Sequence, residues 1–503
     1  MRLRAWLVLA PLLTTLPASA KDLLAYDWIE VRTPHFVIAS AQGPEKTREL
    51  AIELEDFRRM AEIVTSIGRF EERIPTKIFL LPKSDEDLGF GGNVGGYFSS
   101  GMRANYAVLI PLGGYTNEAL KHEYVHFLVH NRDGQLYPLW FDEGYADLLA
   151  TLRVDGLAFE YGKPMDARVN WLVQEYSPWL NAKTLLEARG LDGFGRDRTA
   201  MFYSQSWLLV HYLVIGNGNF ASRNADFLKR RERDESVTAA FEAAFGTEVN
   251  LLNKKLERYL RKARYFKGTL RQPLPPVDSR TRALPKQEIA AALGGLALRA
   301  RDADAARPFF EAALAAAPDY GPALSGFGDI HKLAGRFAEA QSHYERAIAR
   351  DPGNENHEID FAEFFLHRAR EAKDDGESAE RVAELLVEAR RHFMQAYKRN
   401  PDNPETLAMN GATYLVDGVD AALGVESLEV AHQLLPSQTD IRLLLAKAYI
   451  AAGQREKARQ QLDVLLAWAH AGEVEEIREL SASLDDAKPN ETASTSEGNP
   501  PAD

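Results

Sequence analysis

One period constrains the fold of this chain more than any other feature. Pro318 and Pro352 stand 34 residues apart, and ahead of each is the same frame. Leu293-Gly294, Ala306, Phe310 and Ala313 precede the first; Phe327-Gly328, Ala340, Tyr344 and Ala347 precede the second. A unit of this length is one helix-turn-helix, which cannot bury its apolar face alone and must stack on copies of itself. Ala389, Phe393, Ala396 and Pro401 repeat the second half of the frame 49 residues on, so about fifteen extra residues fall near Ala372–Ala379. A further step reaches Ala431 and Pro436, and Tyr449, Ala458 and Leu462 open a last unit. Residues 286–484 are therefore expected to form an all-α solenoid. The polar tail 485–503 is expected to be disordered.

With Gly, Ala, an aromatic, Ala and Pro at these offsets, the period resembles the tetratricopeptide repeat (TPR). That resemblance implies a concave face that binds a protein partner.

The solenoid accounts for less than half of the 503 residues. Lys267–Pro285, with Pro273, Pro275, Pro276 and Pro285, reads as a linker, leaving 21–266 as a separate domain. Residues 1–20 read as an export signal. Arg2 and Arg4 are basic, Ala5–Leu16 is apolar, and Ala18-Ser19-Ala20 fits the cleavage pattern. The apolar run is short for a bilayer and carries Pro11, so no stable membrane insertion is expected after cleavage, and the mature chain is expected to be periplasmic or secreted. A formal net charge of −13 argues against a nucleic-acid partner. With no cysteine in the chain, any metal must be held by His, Asp or Glu.

Before the linker, the β-branched and aromatic stretch 26–38 predicts one or two short strands, and 76–81 another. Between them, 44–67 has helical spacing, with Leu50, Leu54, Phe57, Met60, Ala61 and Val64 on one face. The glycine-dense segment 89–101 contains Val94–Phe98, a candidate sheet edge for a substrate strand, and 106–110 reads as the return strand of a hairpin. Helices are predicted over 117–131, 139–153, 183–189, 199–215, 219–231, 235–245 and 249–266. The architecture is thus α+β, a small mixed sheet with a helical subdomain, followed by the solenoid.

The sharpest chemical signal is His122-Glu123-Tyr124-Val125-His126. Residues i and i+4 share a helix face, so both imidazoles can point at one ion, and Glu123 can take a proton from metal-bound water. A catalytic zinc needs three protein ligands and an open fourth position. Glu143, on the next predicted helix, supplies the third if the two helices run antiparallel. Asp147, one turn further, can then hold a ligand imidazole by its other nitrogen. His130, at i+8, reads as a neighbour of the site and not a ligand.

An HExxH helix, a short connection and then Trp140-Phe141-Asp142-Glu143-Gly144-Tyr145-Ala146-Asp147 resemble the gluzincin (thermolysin-like, peptidase MA-like) zinc metallopeptidases. The resemblance covers roughly residues 26–265, with specific motifs only at 122–126 and 140–147. It implies one Zn2+ per chain on His122, His126 and Glu143, Glu123 as general base, and Asp147 behind a ligand. It also implies an oxyanion donor from a later helix, for which Tyr203 and His211 are the candidates, and a protein or peptide substrate. The competing expectation is a catalytically idle TPR scaffold that keeps a metallopeptidase fold.

Overall fold

A computed structural model describes residues 23–65, 73–82, 96–109, 115–133, 137–174, 178–191, 193–231, 233, 235–300, 302–468 and 474–486. The expected export signal, and the tail beyond 486, lie outside the described residues.

The N-terminal part is organised on a six-stranded mixed sheet. Its strands are β1 (Ile29–Arg32), β2 (Phe36–Ser40), β3 (Thr76–Leu80), β4 (Gly96–Ser99), β5 (Asn105–Leu109) and β9 (Arg280–Ala283), in the order β4-β5-β3-β2-β1-β9. β5, β3 and β2 run parallel; β4, β1 and β9 pair antiparallel at the flanks. The central strand β3 reads Thr-Lys-Ile-Phe-Leu because apolar cover reaches it from both sides. On one face Ile38, Ile78 and Ala107 meet Leu50, Leu54, Phe57 and Met60 of α1 (Pro44–Thr65), most of the stripe expected from the helical spacing. On the other, Phe79 and Val108 meet Ile289, Leu293 and Phe309 from the first repeat.

Two helices follow the hairpin, α2 (Tyr115–Asp133) and α3 (Leu139–Ala150). The second ends before the expected Arg153, which instead opens a short strand, β6 (Arg153–Asp155). β6, β7 (Ala158–Tyr161) and β8 (Phe266–Thr269) make a second, three-stranded sheet. Between β7 and β8 lies the helical subdomain: α4 (Asp166–Val173), α5 (Ala182–Glu187), α6 (Gly195–His211), α7 (Phe220–Arg231), α8 (Val237–Phe245) and α9 (Val249–Leu260). It packs around Trp140, Trp207, Phe202 and Phe241.

The proline-rich segment 267–285 corrects the sequence expectation. It is not a free connector, because its ends are built into the two sheets as β8 and β9. Prolines keep its middle out of the ladder, while Arg280–Ala283 presents an ordinary run of backbone donors and acceptors to β1.

Among the described residues five helix pairs follow: α10 (Lys286–Arg299) with α11 (Ala303–Ala316), α12 (Gly321–Leu333) with α13 (Phe337–Arg350), α14 (Glu355–Asp374) with α15 (Ala379–Arg399), α16 (Pro404–Asp417) with α17 (Ala421–Leu434), and α18 (Thr439–Ala451) with α19 (Arg455–Trp468). α20 (Val474–Asp486) closes the row. The extra residues of the third unit lengthen both its helices, to 20 and 21 residues, against 13 and 14 in the pair before it. The period has a steric basis. A Cβ on Gly328 would come within 2.6 Å of the Tyr344 ring, and one on Gly326 within 2.2 Å of Phe310, so each aromatic fills a notch that only glycine leaves.

The first helices of successive pairs pack on one another as well as on their partners, so they form the inner row of the curve. That inner face was expected to receive an outside protein. Part of it is instead covered by the chain's own N-terminal domain, because the apolar back of the sheet needs burial and α10, with Phe309 of α11, supplies it. Asn131 accepts from the Ser437 backbone, and Arg103 reaches Asp360 and Glu405. Among the described residues no helix is long and apolar enough to cross a membrane.

Tyr344 is fully buried and also donates to Asp329. Tyr344→Ala is expected to destabilise the solenoid by about 3–5 kcal/mol, read as a lower urea midpoint by circular dichroism. An unchanged midpoint would mean that the ring does not hold the two helices together.

Candidate metal centre

Helices α2 and α3 face each other across the site, and each contributes charged groups to an interior that would otherwise be apolar. His122 and His126 lie one turn apart on α2, their Nε2 atoms 3.2 Å apart. Glu143 of α3 is buried, and its Oε2 sits 3.2 Å from His122 Nε2 and 3.7 Å from His126 Nε2. These contacts are close in charge but not aligned as hydrogen bonds, and both Glu143 oxygens lack a hydrogen-bond partner.

Three Lewis-basic atoms thus converge on one point, and a buried carboxylate without a donor is costly unless a cation joins it. Four donors at zinc distances of about 2.0–2.1 Å stand about 3.3–3.4 Å apart in a tetrahedron, close to the observed triangle. The residues fit such an ion. They are the three residues that the sequence brings forward as candidate ligands, and the fold brings them together.

Each imidazole has a carboxylate at its other nitrogen. His122 Nδ1 is 2.9 Å from Asp147 Oδ1, as expected. His126 Nδ1 is 3.1 Å from Asp142 Oδ1, which the sequence reading had not assigned. Asp142 also takes His130 Nε2 at 2.7 Å, which explains why this third histidine on the same face is buried without reaching the centre. Carboxylates behind ligand imidazoles fix the tautomer and direct the free nitrogen inward.

The electrostatics follow. Burial alone would discharge His122, but Asp147 reverses this and lifts it to about 9. Burial opposes the charge on His126 as well, and Asp142 raises it well above the usual histidine range. Asp147, against its own burial, is held at about 2 by Arg168 and then His122. A raised histidine pKa means that the site attracts positive charge at its centre.

Arg168, from α4, was missed in the sequence. Its Nε is 2.6 Å from Asp147 Oδ2 and its Nη2 is 3.1 Å from Oδ1, a two-pronged clamp. No motif marks it, since it lies 21 residues past Asp147 across two strands. The same guanidinium lies over the Tyr203 ring, 5.1 Å from its centroid. Tyr203 is buried on α6, and its hydroxyl makes no hydrogen bond to any described residue. Burial, and then the carboxylates Glu143, Asp147 and Glu123, keep that hydroxyl protonated far above pH 10. It is a spare donor near the carboxylates.

His211 is placed elsewhere, which corrects its candidacy. Its Nδ1 is 2.8 Å from the Tyr259 hydroxyl and its Nε2 is 2.9 Å from the Gly162 carbonyl, so both nitrogens are committed to packing. Glu123 likewise makes no hydrogen bond to a described residue. Burial raises its pKa, and the two imidazoles pull the other way.

What brings α6 to the site is Gly144. A Cβ there would lie 2.2 Å from the Ser206 carbonyl oxygen, so the two backbones touch. Beside the site, β4 is the outer strand of the sheet, paired with β5 on one side and packed along α2. The expected edge Val94–Phe98 thus falls partly on β4, with 94 and 95 outside the described residues.

The comparisons with known proteins concern the solenoid. A tetratricopeptide-repeat family model matches residues 297–358 and 420–484, and with the 34-residue period it shows that the C-terminal region carries tetratricopeptide repeats. Among solved structures, a thermophilic TPR protein of Thermus thermophilus is 24% identical, covering 39% of this chain and 98% of its own at a TM-score of 0.34. The pilF protein of Pseudomonas aeruginosa is 18% identical over 40% of this chain and 88% of its own, TM-score 0.32. YrrB, described as a TPR protein with an unusual peptide-binding site, is 16% identical over 39% and 91%, TM-score 0.27. No curated protein matches the chain.

Gly144→Ala is expected to force α3 and α6 apart and to cost about 1–3 kcal/mol, with a lower midpoint in chemical denaturation. Wild-type stability in that variant would contradict the close backbone approach.

Proposed function

We propose that the chain is a zinc-dependent metallopeptidase joined to a tetratricopeptide-repeat protein-interaction module. The observation that carries the catalytic half is the convergence of His122, His126 and a buried Glu143 whose oxygens accept no hydrogen bond, with a carboxylate behind each histidine.

His122, His126 and Glu143 would hold the ion. When bound, zinc supplies Lewis acidity and an activated water near neutral pH. Glu123, half-buried and without a competing hydrogen bond to a described residue, accepts the water proton and returns it to the leaving amine. Tyr203 keeps its proton and donates to the oxyanion that forms at the scissile carbonyl. Arg168 holds Asp147 and stacks on Tyr203, linking the support of one ligand to the oxyanion donor. β4, the outer strand among the described residues, offers an edge to an extended peptide. The signal-like start of the sequence supports action outside the cytoplasm, which N-terminal sequencing of the natural protein checks by a start near Lys21.

The second reading is a repeat-based binding protein whose metal site is idle. The family match favours it, because it covers repeats alone and brings no catalytic relative. Both readings share the repeat module and differ in turnover.

Elemental analysis is expected to find about one zinc per purified chain, lost in His126→Ala and Glu143→Ala but kept in Glu123→Gln. Cleavage profiling of a denatured proteome is then expected to show wild-type products that fall by about 10²–10⁴ in Glu123→Gln. In Tyr203→Phe they are expected to fall by about 10²–10³ with zinc retained. Equal product patterns from wild type and Glu123→Gln would leave only the binding reading.

A further inference from the structure

The hairpin that ends in β4 is gripped from the repeat side. Its turn, residues 100–104, carries Arg103 into a notch between the first helices of the third and fourth pairs. Arg103 Nη1 is 2.8 Å from Asp360 on α14, and its Nε contacts Glu405 in the first turn of α16. Glu363, one turn along α14 from Asp360, adds a third carboxylate; burial, and then Glu405, push it up to about 7. Of the other nearby cations, Lys332 is already paired with Asp329 at 2.7 Å, and Arg370, on α14 itself, acts on Glu363 without an ion pair to Asp360 or Glu405. Arg103 is thus the cation this acidic notch is built around.

A second contact grips the same turn. Arg299, at the end of α10, lies 3.9 Å from the centroid of Tyr106 in β5. Its guanidinium also comes so close to Gly101 that a Cβ there would sit 2.6 Å from Nη2. The contacts involve α10, α14 and α16, all in the inner row of the solenoid, where TPR proteins offer a concave binding face.

We propose that this notch is an arginine-reading site whose resident occupant is the chain's own β4–β5 turn, so that a partner presenting an arginine there displaces the turn and frees strand β4. The planar guanidinium suits it, since two carboxylates on different helices can each take a separate N–H. The docking stands on the contacts alone; only the consequence for a substrate strand on β4 rests on the peptidase reading. The repeats then act as a brace on the strand flanking the metal-bearing helix, and partner binding and edge-strand order exclude one another.

The test uses the full chain and two readouts, neither of which needs turnover. Hydrogen exchange at the backbone amides of residues 96–109 is expected to accelerate by roughly tenfold or more in Arg103→Ala, with helix content unchanged. A labelled peptide copying Ser99–Tyr106 is expected to bind Arg103→Ala by fluorescence anisotropy. Against wild type it is expected to bind at least about tenfold more weakly, because it has to displace the resident turn, and no binding is expected to either chain once the peptide's own arginine is replaced by alanine. Should Arg103→Ala fold poorly, the exchanged pair Arg103→Glu with Glu405→Arg is expected to regain protection that either single change loses. The proposal is overturned by unchanged exchange in Arg103→Ala, by equal peptide affinity for wild type and variant, by no binding to the vacated notch, or by no recovery in the exchanged pair. A chain that passes these tests yet cleaves nothing would fail the peptidase reading alone.

Discussion

A sheet whose central strands are apolar on both sides cannot be left half bare, and most of this molecule's organisation follows from that requirement. One face of β3 and its neighbours takes α1. The other takes Ile289, Leu293 and Phe309, which belong to the repeats. The boundary suggested by composition is therefore a boundary of architecture and not of packing. The sheet would expose Phe79 and Val108 without α10, and α10 would expose its own apolar face without the sheet.

The second constraint is charge burial. Asp142, Glu143 and Asp147 are all buried on one helix, which is unfavourable unless each negative charge meets a positive one. The chain answers with residues from two other helices. His126 and His130 meet Asp142, His122 and Arg168 meet Asp147, and Glu143 faces the two imidazoles. Each carboxylate draws on two partners, so the network ties α2 and α4 to α3 at several points. Gly144 completes it by letting α6 press its backbone against α3.

How much of this was legible in the sequence depended on range. His122, His126, Glu143 and Asp147 sit at spacings that helix geometry converts directly into a shared face, so they could be placed before any fold was known. The repeat frame was legible for the same reason, because an aromatic 16 residues from a glycine recurs wherever the two must interlock. Arg168 and the role of Asp142 were not legible, since each depends on how helices cross in space. His211 misled by proximity along α6: two turns from Tyr203, it is drawn off by Gly162 and Tyr259, neither of which its local sequence announces. The proline-rich segment misled by composition, because its last four residues before Leu284 carry no proline and complete a ladder that starts near the other end of the chain.

That ladder has a consequence for the order of assembly. The Glu30–Arg282 contact spans 252 positions. During synthesis β1 emerges early, yet its outer edge stays unsatisfied until residue 283 has followed, and β3 stays uncovered on one side until α10 has followed in turn. Closure of so long a loop is slow, and the waiting edge is the kind of surface to which foreign strands adhere. The nascent chain therefore passes through a long interval in which the outer edge of β1 and one face of β3 wait for sequence that has yet to be made.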